Sequence, residues 1–269
     1  MPEWPEMEHY REMLDVRIAN KRVTAVQVER ERSLNMSIPE FTARVEGQQV
    51  IGVGRRAKML LITLESNEVL LLHLMLGGWI FYGQVNEKPE RTIQVQLSFG
   101  EQQLYFIGLR LGYLHLFTPV QLSERLSELG PDPFEPALSL STFKVLLERG
   151  RGTLKKQLTD QSIIAGIGNF YSDEICHAAR ILPSRTPSSL TLEEWSSLYE
   201  SMHGTLIEAS QAGGYMDQAF YNGDSLTGSY NHMCRVYDRE GELCHRCGQI
   251  IVRNTVSSKK SFHCPQCQR

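Results

Sequence analysis

Pro2, Glu3 and Glu6, in the opening run Met1-Pro-Glu-Trp-Pro-Glu6, are the residues of this 269-residue chain whose types and spacing bear most directly on chemistry. Loss of Met1 would leave the secondary amine of Pro2 free beside two carboxylates. An α-amino group titrates near ~8, against ~10.4 for a lysine side chain, so at neutral pH it presents on the order of a hundredfold more neutral amine. Such an amine, already neutral, attacks an electrophilic carbon without first being deprotonated and forms a positively charged iminium, which is covalent catalysis by Schiff base. The same residues also suit a plain helix start, with Pro5 in the first turn and the acids at the positive end of the helix dipole.

A second constellation lies at the far end. Cys244-His-Arg-Cys247, sixteen intervening residues, then Cys264-Pro-Gln-Cys267 can supply four thiolates to one tetrahedral ion. That spacing predicts a zinc site closed by its own protein ligands, in which the metal holds a small module folded and takes no part in a reaction. The competing reading is disulfide pairing. No apolar leader opens the sequence, so the six cysteines are expected reduced, and Cys176 and Cys234, without partners at ligand spacing, are expected to be buried thiols.

The net charge of −3 and pI near 6.3 speak against a nucleic-acid partner, but the distribution speaks for one. Residues 235–269 carry seven Lys/Arg against three acids, and Arg149, Arg151, Lys155 and Lys156 form a second basic group. Just beyond it, Ala165-Gly-Ile-Gly168 precedes Asn169 at a predicted helix start, where outward-facing N–H groups suit an anion. Close helix packing explains two such glycines equally well. The basic neighbours point to phosphate.

These groups need a scaffold. With 41% hydrophobic and 22% charged residues and no apolar run of membrane-spanning length, the chain reads as a globular protein of one large or two medium domains. An opening helix puts Met7, Tyr10 and Leu14 on one face. Strand-like stretches follow between residues 20 and 117, with strict alternation at Ile93, Val95, Leu97 and Phe99. The pattern then turns helical, through Leu122, Leu126 and Leu129 to a stop at Gly130-Pro-Asp-Pro133, and on to a long helix opened by the capping box Thr191-x-x-Glu194. The expected class is α+β: an N-terminal β-sandwich with an opening helix over 1–118, helix and linker over 119–136, a helical domain over 137–234 and a four-cysteine finger over 235–269.

In this order the motifs resemble the formamidopyrimidine-DNA glycosylase and endonuclease VIII family along essentially the whole chain. The carriers are Pro2-Glu-Trp-Pro-Glu6, Gly54-Arg-Arg-Ala-Lys58, Leu154-Lys-Lys-Gln-Leu-Thr-Asp-Gln161 leading to Ala165-Gly-Ile-Gly-Asn-Phe-Tyr-Ser-Asp-Glu174, and Val236-Tyr-Asp-Arg-Glu-Gly241 entering the cysteines. The resemblance implies a helix-two-turn-helix module in the C-terminal domain, a DNA groove between the domains, and a bifunctional DNA glycosylase and abasic-site lyase. Its substrate would be double-stranded DNA containing a damaged base or abasic site. The enzyme would act as a monomer in the cytoplasm, at the nucleoid, with zinc as its one, structural, metal. Pro2 would then be the nucleophile on the sugar C1′, Glu3 the acid/base and Glu6 a support near the lesion pocket. Lys58 would bind phosphate and aid base loss, and Lys155 and Asn169 would grip phosphates beside the extruded nucleotide. Lys259, followed by Lys260, stands where the family has a finger arginine.

Trp4 and Ala57 differ from the usual residues there. So do the residues that fill the stack once a nucleotide is turned out, where Leu76, Leu109 and Leu111 stand in for a methionine, an arginine and a phenylalanine. A leucine wedge fills space but cannot read an orphaned base by hydrogen bonds, so excision is expected to vary little with the partner base. Alternatively these leucines are sandwich core and Arg110 carries the charge that is needed. The segment Gly213–Met233, with Tyr215, Phe220, Tyr221 and Tyr230, lies where the family covers the lesion; its aromatic rings would stack on a base or close the helical domain. Two other functions compete: a paralogue that binds damaged or abasic DNA but has lost base excision, and a regulatory zinc-finger protein, which leaves Pro2 and Glu3 unexplained.

Overall fold

The opening helix forms where the acids and prolines place it: Glu3 is the N-cap of α1 (Trp4–Ile18), and Met7, Tyr10, Leu14 and Ile18 are wholly buried along one side. The computed structural model describes residues 1–269, which divide into one unit of Met1–Ser127 with Ala212–Ser229 and another of Glu128–Gln211 with Tyr230–Arg269.

In the first unit the strands are β1 (Ala25–Val28), β2 (Val50–Arg56), β3 (Met59–Leu64), β4 (Val69–His73), β5 (Trp79–Gln84), β6 (Ile93–Phe99), β7 (Gln102–Ile107) and β8 (Tyr113–Phe117). They form two antiparallel sheets, ordered β1-β6-β7-β5 and β2-β3-β4-β8. Alternation assigns the faces. Leu60, Ile62, Leu70, Leu72, Leu114 and Leu116 of one sheet join Ile80, Val95, Leu97, Leu104 and Phe106 of the other in a single apolar core. Phe81, Ile93, Tyr105 and Ile107 make a smaller cluster with Trp79 on the other side of their sheet. Helix α2 (Ile38–Val45) packs Phe41 and Val45 on the main core, and α3 (Pro119–Leu126) ends the unit.

Two boundaries differ from the sequence reading. Residues 212–229, expected inside the 137–234 domain, belong with the sandwich: Phe220 is wholly buried against Tyr10 and Tyr82, and its carbonyl accepts the Tyr82 N–H at 2.7 Å. An apolar ring with that burial outweighs chain continuity. The helix expected to run to Gly130 stops at Leu126, and Gly130 lies in the second unit, its N–H on the Gln161 carbonyl at 2.9 Å. A Cβ there would sit 2.5 Å from the Ile163 oxygen, so no other residue fits.

The second unit contains α4 (Leu140–Arg149), α5 (Leu154–Leu158), α6 (Asn169–Ala179), α7 (Leu192–Gln211) and a hairpin of β9 (Val252–Val256) and β10 (Lys259–His263). Hydroxyls of Ser139 and Thr153 cap α4 and α5. The capping box forms as expected, Thr191 N–H to Glu194 at 2.9 Å and Glu194 N–H to Thr191 at 3.3 Å. Ser257 and Ser258 make the hairpin turn with positive φ at both, the two-residue geometry that follows strand twist.

Candidate active site and nucleic-acid contacts

At the start of α1 the Glu3 N–H donates to Glu6 Oε2 at 2.8 Å, and Glu6 Oε1 accepts the Tyr215 N–H at 3.0 Å. Both oxygens of Glu6 are thereby used. It fixes the helix start to the 212–229 segment, a supporting role. Gly214 is the reason this fits: its φ is +67°, and a Cβ would lie 2.4 Å from Glu6 Oε1. Lys58 sits in the turn between β2 and β3, where Ala57 takes a φ of +52°. Arg55 ties that turn to α1: its Nε pairs with Glu8 at 2.7 Å, its Nη1 donates to the Ala57 carbonyl at 3.0 Å, and its guanidinium lies over the Trp4 ring at 4.8 Å. Thus Trp4 becomes part of what holds the lysine turn.

Glu3 and Lys58 are both buried. The amino terminus, carried here by Met1, titrates below its ordinary value because burial disfavours the ammonium, with Glu3 and Glu6 pulling it up and Lys58 pushing it down. Burial, with help from Lys58 and Arg125, brings His73 down to about 4. Amine, two carboxylates and lysine therefore form one electrostatic group. Beside it opens a cavity of about 400 Å³ lined by Pro2, Gly77, Gly78, Trp79, Arg91 and Tyr215 through Gln218.

The wedge candidates separate. Gly108 abuts the Gly77 carbonyl and Gly112 the carbonyls of His73 and Leu74, so the loops after β4 and β7 lie in contact and tolerate no side chain at either glycine. From these loops Leu76 and Leu111 project 63% and 61% exposed, and Arg110, next to Leu111, is exposed as well. Leu109 does not join them. It is 0% exposed in the main core, its N–H on Gln94 Oε1 at 3.0 Å and its carbonyl on Arg30 Nη1 at 2.6 Å. The expectation that Leu109 meets the opposing base is corrected: an apolar side chain in this sequence turns inward, and Arg110 takes the outward position.

In the second unit Lys155 is also corrected. Its side chain is 0% exposed, and Nζ donates to Asp173 Oδ1 at 2.6 Å, the Asn169 carbonyl at 3.1 Å and Ser172 Oγ at 3.3 Å. Three donors are spent inside the protein, so it positions the α6 start and does not itself reach a phosphate. Asn169, half-buried as the first residue of α6, donates Nδ2 to Tyr237 Oη at 3.0 Å, while its Oδ1 has no partner. Lys259 and Lys260 stand exposed at the hairpin, Lys259 bonded to Thr159 Oγ1. The Sγ atoms of Cys244, Cys247, Cys264 and Cys267 lie within 4.8 Å of one another. Cys244–Cys267 is 3.9 Å and Cys247–Cys264 3.5 Å, against about 3.8 Å for the edge of a tetrahedron with 2.3 Å metal–sulfur bonds. The cluster fits a metal ion such as zinc. Cys176 and Cys234 are buried thiols, as expected.

Two family models cover most of the chain: the formamidopyrimidine-DNA glycosylase N-terminal domain over residues 1–113 and the H2TH domain of the same enzyme over 129–220. The formamidopyrimidine-DNA glycosylases of Pelotomaculum thermopropionicum and Geobacillus kaustophilus are 33% and 34% identical, each alignment covering 100% of this chain and 99% and 100% of the relative. The chain belongs to the formamidopyrimidine-DNA glycosylase family. A Lactococcus lactis member complexed with Fapy-dG-containing DNA superposes with a TM-score of 0.91 at 26% identity over 100% of both chains. Another complex of that protein, with abasic-site DNA, also gives 0.91 at 26% over 99% of each. Membership over the whole length makes this chain a DNA repair glycosylase and leaves the regulatory zinc-finger reading without support.

Within the glycosylase the residues that sequence reasoning passed over are mostly the ones that hold others. Asp173 accepts Lys155, Ser261 Oγ and the Phe262 N–H, and Glu174 accepts the N–H groups of Arg235, Val236 and Tyr237 at 2.8–2.9 Å. Adjacent carboxylates thus clamp the hairpin and the chain entering the finger. A partial signal was present, two acids flanked by Phe170, Tyr171, Ile175 and Cys176, since acids set among large apolar residues are buried only when paired. Trp79, Arg91 and Asp217 of the cavity carried no such signal. Of the four aromatic residues expected over the lesion, Tyr215 lines the cavity, Phe220 and Tyr221 pack on the sandwich, and Tyr230 is buried in the second unit near Glu174.

Proposed function

We propose that this chain releases a damaged base from double-stranded DNA through a Schiff base at Pro2 and then cuts the strand by elimination. The convergence of Pro2, Glu3, Glu6 and Lys58 beside the cavity supports the reading. The Pro2 nitrogen, freed by loss of Met1, uses its lone pair to form a bond to C1′; the glycosidic bond breaks, its electron pair leaves with the base, and the proton shed by the Pro2 nitrogen is the one the base takes up. Glu3 supplies a proton to the ring oxygen as the sugar opens, giving an iminium at C1′. That cation acidifies C2′, and loss of a C2′ proton expels the 3′ phosphate.

A base inside a duplex cannot reach Pro2, so the nucleotide must be turned out and the gap filled. Leu76 and Leu111 are the apolar wedge, and Arg110 reads the partner base. Lys58, Asn169, Lys259 and Lys260 contact phosphates, Asn169 through the orientation Lys155 gives it. The four cysteines hold one zinc ion that keeps the finger folded and supplies no reactive chemistry. The enzyme works as a monomer on nucleoid DNA in the cytoplasm; no helix is long and apolar enough to cross a membrane. A duplex with one formamidopyrimidine lesion tests this: free base and strand incision should both appear. Tight binding without base release would instead identify a damage-binding paralogue.

A further inference from the structure

The segment that lines the cavity is a closed loop with a built-in fastening. Its two ends meet where the Gly228 N–H donates to the Gly213 carbonyl at 3.1 Å, and Gly213, Gly214 and Gly228 all have positive φ. Asp224 folds the returning half: its oxygens accept the N–H groups of Phe220 at 2.8 Å, Leu226 at 3.0 Å and Thr227 at 3.2 Å, and the Thr227 hydroxyl at 2.5 Å. Thr227 Oγ1 also lies 3.0 Å from Nε2 of His9, which is buried on α1. A hydroxyl has one proton, and here it goes to the carboxylate. The remaining bond therefore runs from the His9 Nε2–H to the threonine oxygen.

His9 follows Glu6 by three residues, and Arg17, whose guanidinium lies 4.5 Å from the Tyr221 ring centre, is two further turns along α1. One helix thus presents the catalytic head and grips the loop at its start, middle and end. We infer that His9, Thr227 and Asp224 form a latch that sets the position of Tyr215 through Gln218 over the cavity, making His9 and Thr227 positioning residues for base release and not for strand cutting. This rests on the cavity being the base site. The distinction follows from geometry: an abasic substrate has no base for the loop to hold, whereas attack on an intact nucleoside needs the base seated.

The test compares two substrates, a formamidopyrimidine duplex and a preformed abasic duplex, in the full-length zinc-loaded protein. Thr227→Val removes the hydroxyl at constant shape, and His9→Leu removes its donor. Each should lower base release about tenfold while abasic incision stays within about twofold, consistent with loss of one buried hydrogen bond. Thr227→Ser should restore base release. Hydrogen exchange at residues 213–218 should quicken in Thr227→Val and stay slow in Thr227→Ser. Equal loss on both substrates, no loss on either, or no rescue by serine overturns the latch. Should Thr227→Val fail to fold, Asp224→Asn carries the same expectation and the same refutation. A wild-type protein that releases no base at all would instead refute the enzymatic reading.

Discussion

Replacing Arg110 should erase discrimination among partner bases, and the structure sets the size of the effect. The loop is held before DNA arrives, through Arg30 Nη1 on the Leu109 and Arg110 carbonyls at 2.6 and 3.1 Å and Gln94 on the Leu109 N–H. Only the Arg110 side chain has then to be ordered on binding. A bidentate arginine–base contact is worth roughly 1–3 kcal/mol, a factor of about five to more than a hundred between a base that accepts both bonds and one that does not. Guanine and cytosine edges differ in acceptors, so the assay is single-turnover base release opposite each of the four bases, scored as a ratio to cancel pair-opening effects. Arg110→Ala should collapse the spread to that of pair stability while incision of abasic DNA persists. Leu109→Arg should not create a preference; it drives a guanidinium into a filled core and should cost several kcal/mol, about 3 or more, of stability. A folded Leu109→Arg with a new cytosine preference, or an Arg110→Ala protein that discriminates as before, would refute this account of the loop.

Removing zinc with a strong chelator, or making Cys247→Ser, should unfold the finger and weaken DNA binding while borohydride trapping at saturating abasic DNA survives, which circular dichroism and titration would show. Lys155→Met strands the buried Asp173 carboxylate and should cost about 3–5 kcal/mol in denaturant unfolding. Its salt slope of binding should stay unchanged, whereas Lys260→Ala should lower the slope by about 0.9 in log K against log salt. Burial holds the amino terminus carried by Met1 below its ordinary value; a Pro2 amine freed at the same place should be depressed for the same reason, so trapping should fall as pH drops through its lowered value. Lys58→Gln removes a neighbouring positive charge, stabilises the ammonium and should move the acid limb to higher pH; no movement would separate Lys58 from the amine.

What could be read from sequence was whatever depended on local pattern. The α1 face, the Thr191–Glu194 box and the cysteine spacing all use short-range rules, and each appears as expected. The strand at β6 is also present, but its alternation is not one of burial, because Gln94 and Ser98 are buried too and Ile93 packs apart from Val95, Leu97 and Phe99. What could not be read required knowing which segments meet. Residues 212–229 follow a helix in sequence yet complete the sandwich, because Phe220 and Glu6 find their partners there. Lys155 looked like a phosphate ligand by charge and neighbourhood, but charge alone does not tell a solvated ammonium from one neutralised inside. The Asp173 carboxylate decides that, eighteen residues away. Leu109 and Arg110 differ by a single position, and aligning residue types against a family pattern cannot decide which one a turn points outward.

The most direct test of the whole account is the site of covalent attachment. Protein with its amino terminus defined by mass spectrometry is reacted with abasic duplex DNA under borohydride, digested, and the DNA remnant mapped. The account predicts a chain beginning at Pro2, with the remnant on the Pro2 nitrogen. A remnant on Lys58, or robust trapping by protein that retains Met1, would contradict it.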